Sequence, residues 1–119
     1  MASSLSTAGK NVALNQIGAT YGFAAAYTDD PGATGILNEV SGGAPAYARK
    51  AITWAAAAAG SVALAATFPV FDIPAGTTLS YIGVWTLAVG GIYGGCWDVT
   101  DEIFAAQGTY TLTAGTISL

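Results

Sequence analysis

The sequence predicts a mainly β chain: a β-sandwich or jelly-roll-like single domain with a short N-terminal helix. Three observations carry this. Short runs with alternating apolar positions recur along most of the chain. Glycine and proline doublets separate them, among them Pro31-Gly32, Gly42-Gly43 and Gly90-Gly91. No repeat and no heptad pattern offers a competing architecture.

The elements follow in order. Residues 6–16 fit a short helix capped by Ser6 or Thr7, with Ala8, Val12 and Leu5 as its apolar stripe and Gly18 as its stop. Residues 1–19 are therefore an N-terminal arm or short helix, and 20–119 the β-sandwich domain. Residues 20–27 read as a strand, with Tyr21, Phe23, Ala25 and Tyr27 on one face. Residues 28–45 form a long irregular loop, and a loop of that length in a compact domain is usually functional. Residues 47–54 are the next strand. The alanine run 55–59 is helical by propensity, yet its flanks allow an extended connection, and both readings stay open. Residues 62–68 and 70–73 read as a strand broken near Pro69.

Residues 77–87 give the clearest strand. Leu79, Tyr81, Gly83 and Trp85 alternate with Ser80, Ile82 and Val84, and both rows are largely apolar, so this strand is central and covered on both sides. Gly90-Gly91 turns it into a partner strand over 92–97. Residues 98–107 read as a polar loop anchored by Phe104. Residues 109–113 and 116–119 supply the last short strands.

Composition limits the function. The 119 residues are 53% hydrophobic and 8% charged, against about 25% charged in an ordinary soluble domain. A folded surface so poor in charge tolerates burial against neighbours, which points to an oligomer or a larger assembly. The net charge is −4, and Lys10, Arg49 and Lys50 are the only basic residues. No basic stripe exists to neutralise phosphates or to grip an anionic bilayer, so neither nucleic acid nor membrane is an expected partner. Residues 51–71 are uncharged and long enough for a membrane helix, but threonine, serine, glycine and proline interrupt them. The N-terminus lacks the basic start and apolar run of a secretory signal.

Chemistry is equally constrained. The absence of histidine removes the commonest general base and transition-metal ligand. No phosphate-cradling glycine motif is present. Asp29-Asp30 and the group Asp98, Asp101 and Glu102 are acidic clusters without EF-hand spacing, so no metal and no paired-carboxylate hydrolase is expected. The lone Cys96 has no basic neighbour in sequence and reads as a packed, inert thiol. The tryptophans and tyrosines fall mostly at alternating strand positions, the pattern of a core and not of a sugar platform. No catalytic residue, cofactor or metal site is expected, and the chain is expected not to be an enzyme.

One resemblance adds to this. The runs Asp30-Pro31-Gly32-Ala33-Thr34-Gly35, Asn38-Glu39-Val40-Ser41-Gly42-Gly43 and Ala46-Tyr47-Ala48-Arg49-Lys50-Ala51-Ile52-Thr53-Trp54, followed by Pro74-Ala75-Gly76-Thr77 and Gly83-Val84-Trp85, resemble a family of small virion proteins of tailed bacteriophages. Such proteins are common in actinobacterial phages and are usually labelled tail fibre or minor structural proteins. The likeness covers most of residues 20–119. It implies a structural virion protein. A short, charge-poor β domain without a shaft suits a capsid decoration (minor capsid) protein, on the capsid surface, bound to the major capsid protein and to copies of itself, for instance as a trimer. The alternative is a tail fibre or minor tail protein that binds a host receptor or glycan. A non-viral adhesion module is a more distant third. The residues expected at the partner contact are Asp29, Asp30, Asn38, Glu39, Arg49 and Lys50. The Arg49-Lys50 doublet could equally be a solvated pair worth about 0–1 kcal/mol.

Overall fold

The structure is a computed structural model, and it describes residues 4–65 and 68–119. Among the described residues one helix, α1 (Thr7–Thr20), precedes eight strands: β1 (Phe23–Tyr27), β2 (Lys50–Ala51), β3 (Ser61–Ala63), β4 (Val70–Ile73), β5 (Thr77–Trp85), β6 (Tyr93–Phe104), β7 (Gly108–Thr111) and β8 (Thr116–Ser118). The mainly β expectation with one short N-terminal helix holds. The strands build a four-stranded antiparallel sheet in the order β2-β1-β5-β6, a β3-β8 ladder and a β4-β7 ladder.

Ser6 caps α1 as expected, its Oγ accepting from the Gly9 N–H at 3.1 Å. The helix then runs through Gly18. That glycine gives close passage instead of a stop: a Cβ there would lie 3.1 Å from Cβ of Trp54. The expected stripe is also displaced. Leu5, Ala8 and Val12 are exposed, and Leu14 is the buried residue. Asn11 and Asn15 dock the helix on the body, accepting from the backbone N–H groups of Gly60 and Ala57 at 3.0 and 2.8 Å.

The alanine run is extended, not helical. Residues 55–58 run antiparallel to 61–63, closed by Ala58 N–H to Ser61 O and Ser61 N–H to Ala58 O at 2.9 Å. Ala59 and Gly60 make the turn with φ of +51° and +77°. Two successive positive φ values are what a two-residue hairpin requires. Residues 66 and 67, in the expected 62–68 strand, lie outside the described residues, as do residues 1–3.

Two expected elements differ in length. The strand expected over 47–54 pairs with β1 only at Lys50 and Ala51. The reason lies in Tyr47, whose hydroxyl accepts the Ala26 N–H at 2.9 Å and so takes a ladder position that a backbone carbonyl would fill. The polar loop expected over 98–107 is strand as far as Phe104. Its carboxylates sit on β6, the outer strand of the sheet, where charged side chains face water and discourage further strand pairing.

Strand β5 is interior, as expected, and both its faces are covered. Ile82 and Val84 point with Ala24 and Ala26 of β1 into the larger core, against Phe71 and Ile73 of β4 and Leu112. Trp85 and Tyr81 point the other way, with Phe23, Ala25, Tyr27 and Tyr93. Leu79 departs from the alternation and joins the larger core. A ladder irregularity between Leu79 and Tyr81 rotates the strand there. Among the described residues no helix is long and apolar enough to cross a membrane.

Candidate contact surface

The smaller face of β5 is covered by loop, not by sheet, and side-chain hydrogen bonds hold that loop. The first link is Tyr27. Its hydroxyl accepts from Trp85 Nε1 at 2.8 Å and donates to the Gly35 carbonyl at 2.9 Å. Gly35 can approach so closely only because it is glycine. It has φ +73°, and a Cβ would fall 2.3 Å from the Tyr93 ring. Trp85 and Tyr93 pack at 5.5 Å between ring centroids.

The second link is Arg49. Its guanidinium lies 3.8 Å over the Trp85 ring and forks onto Glu39, with Nε to Oε2 and Nη2 to Oε1 both at 3.0 Å. Nη1 donates to the carbonyls of Leu87 and Gly90 at 3.2 and 2.9 Å. This one side chain thus ties the 28–45 loop to the 86–92 connection between β5 and β6. Burial works against the Arg49 charge, yet the hydrogen bonds and charge of Glu39 outweigh it and raise its pKa above the ordinary value. Tyr47 donates to the same carboxylate at 2.9 Å. Burial, reinforced by the Glu39 charge, pushes the Tyr47 phenol well above its usual range, so it stays a neutral donor.

The other residues expected at a partner contact fall nearby but do different work. Asp29 accepts from the Asp30 N–H, and Asp30 from the Gly32 N–H, both at 2.8 Å, so the two acids shape the turn that starts the loop. Asn38 has φ +63°. Its side chain donates to the Asp30 carbonyl and its own carbonyl accepts from the Thr28 N–H, which closes the loop on itself. Lys50 lies on β2, opposite Ala24, and makes no ion pair among the described residues. The doublet is therefore divided: Arg49 is bound inside the molecule, with 10% of its side chain exposed, and Lys50 is not.

The sequence reading placed Tyr27 and Trp85 on strand faces and Gly90-Gly91 in a turn, but it assigned neither those two side chains nor the 86–92 connection to the contact surface. Thr86 and Ile92 close this connection through Thr86 N–H to Ile92 O at 3.1 Å and Ile92 N–H to Thr86 Oγ1 at 2.9 Å. Its tip is apolar and open, with Val89 87% and Ile92 67% exposed and Leu87 more than half exposed. Ile36 and Leu37, also mostly exposed, follow Gly35, which rests on Tyr93. A cleft of about 310 Å³ separates the tip from the loop, lined by Val40, Tyr47, Ala48, Ala88 and Val89 above the Glu39–Arg49 pair. A signal did exist: Leu87-Ala88-Val89 is apolar just before a Gly-Gly turn, where polar residues are ordinary.

Cys96 corrects another expectation. It is exposed, not packed, because it falls on the outward row of β6 with Gly94 and Asp98. The acids Asp98, Asp101 and Glu102 stand on that strand and not in a loop. No group of three or more metal-ligating side chains forms among the described residues.

A family model described as "Podophage GP4 fiber I protein gp80" matches residues 4–119. The chain belongs to that family. It is accordingly a structural protein of a phage virion, and the coarse part of the resemblance read from the sequence stands. The match extends beyond residues 20–119 to take in α1. A search of curated proteins gave no match, and neither did a search of solved structures.

Proposed function

We propose that this protein is a building block of the phage fibre apparatus and that it works by protein–protein contact, with no chemistry of its own. The family match over residues 4–119 carries the reading. The uncharged 86–92 tip, with Leu87, Val89 and Ile92 exposed, gives that role a physical basis. Each Å² of apolar surface covered there contributes about 25 cal/mol, and a contact repeated in every copy adds up across an assembly. On this reading the partners are copies of the chain and neighbouring virion proteins.

Capsid decoration is the second reading, with the major capsid protein as partner. It is favoured by a small β unit with neither the repeat nor the heptad pattern of a shaft. A glycan platform has little support, since the six tyrosines and three tryptophans are all buried or half-buried. Gold-labelled antibody against the full chain, applied to purified particles, tests the assignment. Label on the tail or its fibres is the expected result. Label spread over the head lattice would establish decoration instead, and particles free of the protein would overturn both readings.

A further inference from the structure

We propose that the open edge of β6 is a docking site for an extended, lysine-bearing segment of a different virion protein, which adds to the sheet as its next strand. The proposal deepens the reading above, contact inside a virion, and rests on it. Three observations carry it.

The first is the backbone. β6 is the outer strand of the four-stranded sheet, and among the described residues the backbone bonds of residues 93–103 go to β5 alone. In an antiparallel strand about half of the N–H and C=O groups point away from such a partner. Here they form a row open to another strand. Its regular part is Gly95 to Asp98, which pair with Val84 to Tyr81 in unbroken register, with an irregularity beyond each end. The opposite edge, β2, is two residues long and gives an incoming strand little to bond.

The second is a seat for side chains at that edge. A cleft of about 190 Å³ is lined by Val84, Gly94, Gly95, Cys96, Trp97 and Ile117. Every second side chain of a strand beside β6 points to the face of the sheet where Val84 and Trp97 lie. An aliphatic side chain there covers the half-buried Trp97 ring. Main-chain bonds for affinity and a pocket for alternate side chains are the two parts of strand addition.

The third is charge. Asp98, Asp101 and Glu102 are exposed on β6 and make no ion pair among the described residues. The pKa of Tyr81 is raised chiefly by Asp98, with Asp30 and Asp29 adding to it, so the loop acids gather on the same side. The chain's own bases stand elsewhere: Lys10 on α1, Arg49 in its fork with Glu39, and Lys50 on β2 at the far edge of the sheet. β6 of a second copy would meet like charge at this edge, whereas a strand that carries lysine meets its complement. The carboxylates that discourage indiscriminate pairing thus select the partner.

The experiment compares purified virions with the isolated full chain by peptide mass spectrometry. Amide exchange over residues 94–99 is expected to slow by at least about tenfold in the particle. Zero-length carbodiimide coupling, which joins a carboxylate only to an amine it touches, is expected to link Asp98, Asp101 or Glu102 to a lysine of another virion protein. Edge amides that exchange as fast in the particle as in the free chain would overturn the proposal. So would an edge protected without coupling, or one coupled to Lys10 or Lys50 of another copy. Each of these results leaves the virion reading standing, because the chain's peptides are then present in the particle; their absence would overturn both.

Discussion

The two faces of β5 are held by different physics. On one, Ile82 and Val84 meet Phe71, Ile73, Leu79 and Leu112 in a core built by apolar burial. On the other, Tyr27, Trp85, Glu39, Arg49 and Tyr47 form a directional network. The difference follows from what covers each face. Strands supply alternating apolar side chains, and burial alone positions them. The 28–45 loop has few apolar residues to bury, so it needs bonds with defined angles to hold one shape. The lesson is that the polar network serves shape: it holds the loop on β5 and ties to it the 86–92 tip, which carries no charge.

This contrast can be broken experimentally, beginning with the largest effect. Phe71→Ala removes a fully buried ring stacked 6.3 Å from Tyr47, and should lower stability by about 3–5 kcal/mol, read from a urea unfolding midpoint. A loss below about 1 kcal/mol would mean that the burial face does not carry the fold. Tyr27→Phe leaves Trp85 Nε1 and the Gly35 carbonyl without their partner, and should cost about 1–3 kcal/mol. Its signature is local: amide exchange should accelerate across 28–40 well before it does in β4 and β7. Uniform acceleration over the whole chain would deny the network its separate role.

Alkaline pH should act on the network next. The folded-state pKa of Tyr47 is raised above the ordinary value of 10.0, so its contribution is complete below that value. Stability should then fall as pH rises further, by about 1.4 kcal/mol per pH unit for each such phenol, because the unfolded chain loses the proton and the folded one retains it. Tyr47→Phe should make that fall shallower, and an identical slope would contradict the placement of this hydroxyl. The smallest effect belongs to a residue on neither face. Ile103→Thr, at 79% exposure, should change stability by less than about 0.5 kcal/mol.

Much of the burial face was legible in the sequence, and little of the network was. Period-two alternation in 77–85 identified both rows of the central strand, because sheet side chains alternate without exception until a bulge intervenes. The Leu79 crossover was hidden, since the irregularity arises from pairing with β6, and pairing is not written in either strand alone. Polarity misled at 98–104, where carboxylates marked an open edge and not a loop. Cys96 was read as packed because no basic neighbour in sequence marks it as reactive, and that says nothing of the row it occupies, which faces solvent. At the contact surface, Arg49 and Glu39 were both singled out as outward-facing groups. They meet each other because the loop between them folds back on β1 through Val40 N–H to Ala26 O and the Tyr27–Glu39 bridge. Contacts of that kind depend on loop closure, for which no local periodicity exists.

The central claim is that a structural virion protein presents the apolar 86–92 tip to a neighbour. A density map of intact virions, with the chain placed in it, tests this most directly. The account predicts copies within the fibre apparatus, with Val89 and Ile92 buried against another chain. Copies whose 86–92 tips all face solvent, or a particle without the protein, would contradict it.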